Sequence, residues 1–285
     1  VNHSAFDYQR VQVSGGVGIN VATTGEGSPV VLLHGFPQTH LMWWHVAADL
    51  ASEHTVIMPD LRGYGDSDKP ADTGLTYAKR TMGNDVVEVA RALGHDTFAL
   101  AGHDRGALVA FRTGLDHPDH VTHLASLDVL PTLDMWDVMH GTSAAVGFHL
   151  YLMAQPPGLA EELIGARPDA FFGHFLDLWS TKPFPADVRA EYLRASREAV
   201  TSIVADYRAS ATVDVEHDTA DSDATFRMPV TVLQQDWGAA LGFDAEARWR
   251  RWAPNLDHRT VSCGHFMAEE APDVVADALR DLLKR

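Results

Sequence analysis

The stretch AGHDRGA, residues 101–107, places a carboxylate between two glycines. Gly102, Asp104 and Gly106 have the spacing of a sharp strand-to-helix turn that presents its central side chain as a nucleophile. Small neighbours permit the crowded geometry, and the helix N-terminus behind the turn supplies positive potential. The next backbone N–H helps to stabilise an oxyanion. His265, in CGHF (263–266), follows in the chain order that such a turn uses for its base. Taken alone, Asp104 would serve equally well as a helix N-cap. His265 downstream and HGFP (34–37) upstream favour the nucleophile.

The elements that must hold these residues alternate strand and helix. VVLLHG (30–35), HTVIMPD (54–60), TFALAGHD (97–104) and VTHLASLDVLP (121–131) read as strands, the first a short apolar run suited to a buried parallel sheet. LRGYGDSDKP (61–70) is dense in turn residues. Helical periodicity marks 76–94, closed by Gly94, and 106–118, ending before Pro118. From Thr132 to about Asp223 the pattern is helical throughout, with SAAVGFHLYLMAQ (143–155) one helix and residues 185–210 another. Strand character returns at MPVTVLQQ (228–235) and in 256–265, and a closing amphipathic helix follows. The prediction is an α/β core, residues 1–131 and 223–285, with a mostly parallel sheet flanked by helices and a helical insertion at 132–222.

Composition limits the partners. The chain has 285 residues, 46% of them hydrophobic, and a formal net charge of −17. That balance argues against nucleic acid or an anionic membrane as a partner. No apolar run is long enough to span a bilayer. The single cysteine, Cys263, forms no intrachain disulfide and fits a reducing compartment, and VNHSAFDYQR lacks the character of a signal peptide. A cytoplasmic location is the expectation. The 16 histidines have no metal-ligand spacing, so neither a metal nor an organic cofactor is expected.

HGFPQTHLMW (34–43), MPDLRGYGDSDKP (58–70), GHDRG (102–106) and CGHF together resemble the α/β-hydrolases that use an aspartate nucleophile. That branch includes epoxide hydrolases, haloalkane dehalogenases and fluoroacetate dehalogenases, and the insertion corresponds to its cap. The resemblance implies that Asp104 attacks a saturated carbon and becomes an ester. His265 would activate water against that ester, and the N–H groups of Phe36 and Arg105 would stabilise the oxyanion. For the third triad member the resemblance offers Asp128, in LASLDVLP, or Asp236, in VLQQDWG. Asp128 is favoured, because the usual alternative position, counted from Pro229, falls on Gly238.

In the cap, His149 and Tyr207 match both the halide-binding pair of fluoroacetate dehalogenases and the ring-opening pair of a bacterial group of epoxide hydrolases. Either residue could otherwise be core packing. Two departures separate the readings. Leu108 stands where those dehalogenases have a second carboxylate-gripping arginine, and Leu150 where they have a tryptophan. Both changes favour an uncharged, apolar substrate. The expectation is therefore an epoxide hydrolase producing a diol, with a haloacid or haloalkane dehalogenase as the alternative and a non-catalytic binder on the same fold as the third possibility. Trp43, Trp44, Phe148, Met153 and Trp179 could line the pocket, but aromatics at helical spacing are more often core, and they are left out of the site.

Overall fold

The computed structural model describes residues 6–236 and 241–285. Eight strands form one sheet in the order β1-β2-β4-β3-β5-β6-β7-β8. Strands β1 (Asp7–Val13) and β2 (Val17–Thr24) make an antiparallel edge. β2 also pairs antiparallel with β4 (His54–Pro59). From β4 through β3 (Ser28–Leu33), β5 (Phe98–His103), β6 (Val121–Leu127), β7 (Val230–Gln234) and β8 (Leu256–Thr260), every pairing is parallel. Val30 to Leu33 and all of β5 are buried, as the unbroken apolar runs required of strands covered on both faces.

Helices α1 (Trp44–Leu50), α2 (Lys79–Ala92) and α3 (Arg105–Asp116) belong to the first half of the core. Gly94 follows α2 with φ 89°, the left-handed closing residue that its position predicts. Phe111 of α3 packs edge-on against Phe226, Trp249 and Trp252, joining the helix layer to the second half of the core.

Between β6 and β7 the chain forms the helical cap. Its helices are α4 (Thr132–Val138), α5 (Phe148–Met153), α6 (Leu159–Ala166), α7 (Pro168–Leu178), α8 (Ala186–Glu198), α9 (Val200–Ser210) and α10 (Val213–Ala220). Two expected continuous helices are shorter. Residues 141–145 form a 3-10 turn before α5. The 185–210 segment breaks at Ala199, with φ −114° and ψ 8°. Each half is tied to a different core loop: Ser196 Oγ donates to Pro37 O at 3.1 Å, and Ser202 Oγ to Gly63 O at 2.5 Å. Helices α11 (Ala245–Trp252), α12 (Met267–Glu270) and α13 (Pro272–Leu282) complete the core. Among the described residues no helix is long and apolar enough to cross a membrane, and no group of three His, Cys, Asp or Glu is arranged to hold a metal ion.

Candidate active site

The register of β5 and β6 pairs His103 with Leu127, so Asp104 and Asp128 leave adjacent strands side by side. Both have positive φ, 49° and 55°, conformations that a non-glycine residue adopts at a cost. Asp104 occupies the N-cap position of α3, yet its side chain makes no cap hydrogen bond. It accepts instead from the Phe36 N–H, at 2.7 Å on Oδ1. The turn is so tight that a Cβ on Gly102 would lie 2.3 Å from Gly106 O, and one on Gly106 2.3 Å from His34 O. Arg105 is the first residue of α3, where backbone N–H groups lack intrahelical partners.

His265 donates from Nδ1 to Asp128 Oδ2 at 2.7 Å. Its Nε2 is 3.8 Å from Asp104 Oδ2, beyond hydrogen-bond range and without a protein partner. Burial alone would lower the His265 pKa, but the hydrogen bond and charge of Asp128, aided by Asp104, raise it above the usual 6.5. Gln235 secures Asp128 twice, from its N–H to Oδ1 at 2.9 Å and from Nε2 to Oδ2 at 2.8 Å. The competing carboxylate, Asp236, is exposed and lines a surface depression with Thr260 and Cys263. Gly238 lies outside the described residues.

Asp104 opens into a cavity of about 310 Å³ shared with His149, Tyr207, Leu108, Leu150 and Trp179. The imidazole of His149 stacks parallel to the Phe36 ring at 6.0 Å and meets Tyr207 edge-on at 5.5 Å. Burial pushes the His149 pKa down to about 3, so the ring is neutral across the ordinary pH range. The same cause, with Asp104 nearby, raises the Tyr207 hydroxyl well above its usual range. Tyr207 Oη and His149 Nδ1 have no hydrogen-bond partner within the protein.

The Arg105 guanidinium is turned toward the cap. Nε donates to Asp206 Oδ2 at 2.8 Å, while Nη2 donates to Ser210 Oγ at 2.6 Å and to Asp206 O at 3.0 Å. Its Cζ lies 4.1 Å over the Tyr207 ring. Asp206 also accepts from Lys79 Nζ and, at 2.6 Å, from Tyr64 Oη. Its cationic partners overcome the effect of burial and hold its pKa well below the usual carboxylate range. Sequence reasoning missed this cluster and Gln235, and it left Trp179 out of the site. An aspartate beside Tyr207 in an otherwise apolar helical run was the available signal for Asp206. Gln235 and Trp179 are ordinary in their local sequence.

A carboxylate on a strand-to-helix turn, with a histidine–aspartate pair behind it and a parallel sheet beneath, defines an α/β hydrolase. The chain belongs to that family: the alpha/beta hydrolase fold model matches residues 28–272. It is 37% identical to a fluoroacetate dehalogenase from Burkholderia sp., over 98% of this chain and 94% of the relative. A soluble epoxide hydrolase from Corynebacterium sp. (strain C12) is 35% identical, over 92% of each chain. Among solved structures, a Nostoc sp. PCC 7120 protein provisionally described as an alpha/beta hydrolase has a TM-score of 0.94 at 40% identity, over 98% of both chains. The epoxide hydrolase CorEH, without ligand, gives 0.89 at 31% identity, over 98% of this chain and 99% of that one.

Proposed function

We propose that the protein is an epoxide hydrolase acting on uncharged, apolar epoxides, with residues 132–222 as the cap over a 1–131 and 223–285 core. Asp104 Oδ2 attacks a ring carbon and the ring C–O bond breaks, giving a hydroxyalkyl ester. Tyr207 and His149, both neutral, hold the ring oxygen, and Tyr207 supplies its proton. Asp104 Oδ1 becomes the ester carbonyl oxygen and is already at the Phe36 N–H, so charge developing there in the second step meets a donor in place. The Arg105 N–H adds to that donor set. Water then loses a proton to His265 Nε2 and attacks Asp104 Cγ. Asp128 orients the imidazole and stabilises its charged form. The Cγ–Oδ2 bond breaks as the imidazolium of His265 protonates the leaving oxygen, the diol leaves with the original aspartate oxygen, water supplies its replacement, and the proton released as Asp104 returns to carboxylate restores Tyr207.

One observation carries the choice of substrate. The Arg105 guanidinium is already bound to Asp206 and Ser210, and Leu108 and Leu150 line the same cavity. Among the described residues this wall presents no Lys or Arg besides Arg105, whose Nε and Nη2 are already engaged, whereas apolar groups gain by burial there. The dehalogenase reading retains support from the full-length Burkholderia relative and from Trp179 beside His149, their rings 5.1 Å apart.

Intact mass spectrometry of H265A separates the two. Without the base, an ester on Asp104 should persist. An adduct of the whole epoxide mass, absent in D104N, supports ring opening. An adduct only from haloacetate, equal to the acid less hydrogen halide, would replace this reading with dehalogenation.

A further inference from the structure

His103 is the residue before the nucleophile, is fully buried, and has no part in the steps above. Its Nε2 is 2.7 Å from His265 O. A carbonyl only accepts, so Nε2 carries the proton and donates. Nδ1 is then a bare lone pair, and it has no partner in the protein. Burial and the nearby His265 push the His103 pKa down to about 4, consistent with a ring that keeps this one tautomer. The two imidazoles lie 4.5 Å apart with their planes at 51°.

The position of this bond is informative. His103 precedes Asp104, and its register partner Leu127 precedes Asp128. Two triad members are therefore fixed by the strand ladder. His265 comes from a loop after β8 and has no such ladder. Its carbonyl accepts locally from Met267 N–H at 2.9 Å, and its own N–H donates to Trp179 O at 2.9 Å in the cap. The His103 bond is a direct tie between the His265 backbone and the nucleophile turn.

We propose that His103 is a positioning residue that sets His265 at its working distance from Asp104, through the Nε2–H bond to the His265 carbonyl. The proposal rests on the ester reading above. It predicts a selective defect, because His265 acts on the ester and not in forming it.

Glutamine and asparagine provide the discriminating pair. A glutamine Nε2 is as many bonds from Cβ as the histidine Nε2, whereas the asparagine amide ends where histidine has Nδ1. In H103N, single-turnover hydrolysis of the ester should slow roughly 10- to 100-fold, the order of loss expected for a catalytic group displaced by about an ångström. Ester formation should be little changed, so quenched steady-state samples should hold mostly esterified protein by intact mass. H103Q should return the ester fraction toward that of the parent enzyme. If H103N does not fold, H103F, with a ring but no donor, gives the same readout. Equal slowing in H103Q and H103N, or slow ester formation with normal hydrolysis, would overturn the proposal. Absence of any ester in H265A would instead defeat the ester reading on which it stands.

Discussion

Asp104 and Asp128 have the same side chain and, in the proposed mechanism, opposite tasks, and their partners separate them. Asp104 keeps Oδ2 uncommitted by hydrogen bonds to Phe36 or His265, while Asp128 gives both oxygens to Gln235 and His265. An oxygen-labelling experiment tests the division. In one turnover in 18O-water the label should enter Asp104, located by peptide mass, and the first diol should carry none. Label in the first diol would mean direct attack of water on the substrate. In the proposed mechanism His265 sets the pH dependence of the second step. Its pKa is raised, so the neutral base is lost as pH falls through a value above the usual 6.5 in the free enzyme. In the ester the Asp104 charge is gone, and the midpoint of hydrolysis should lie lower than that of the free enzyme measured by titration. D128N should lower both midpoints and cut the hydrolysis plateau on the order of 10⁴-fold. The linkage has a definite sign as well. A raised histidine pKa contributes stability that is complete below about 6.5 and is lost as pH rises through the folded value. Denaturant melts of D128N should therefore show a larger deficit at pH 5 than at pH 9.

At the scale of elements, the turn around Asp104 depends on missing side chains. G106A places a Cβ 2.3 Å from a backbone oxygen that cannot rotate away. Its thermal melt should fall by many degrees, with activity lost in parallel. The cap–core cluster is sensitive for another reason. Lys79, Arg105 and Asp206 are all buried, and removing Lys79 leaves Asp206 held by Arg105 and Tyr64 with one charge-assisted bond fewer. K79M should cost about 1.5–3 kcal/mol by denaturant titration. These two features differed greatly in how legible they were. The turn is a local pattern: Gly102, Asp104 and Gly106 are contiguous, and so are HGFP and CGHF. Hydrophobic spacing likewise reported the strands, because burial on both faces leaves an apolar run. The break at Ala199 left no such trace: Ser196 and Ser202 on either side of it reach two separate loops of the core, contacts that no local pattern reports. Lys79 and Asp206 are 127 positions apart, and nothing in either neighbourhood announces the other. Trp179 is an aromatic at helical spacing whose role depends on which way α7 ends, which periodicity does not report.

For the whole molecule, charge and cavity act together. A net charge of −17 repels anions at long range, and among the described residues the cavity-lining guanidinium, Arg105, is already engaged by Asp206 and Ser210. Matched epoxides with and without a terminal carboxylate should differ in kcat/KM by at least about tenfold in favour of the uncharged one, and added salt should narrow the gap by screening. An equal or reversed preference would remove the argument for an apolar substrate. The Arg105 cluster also bears on traffic. Arg105 and Lys79 ride on the core, while Asp206, Ser210 and Asp214 ride on the cap. Swinging α9 outward would separate those charges, which are held in a dry interior. Val146 belongs to the cavity wall yet stands half in water, so the pocket reaches solvent beside an apolar rim. In the proposed reaction, an apolar rim would hold an uncharged epoxide more readily than the more polar diol.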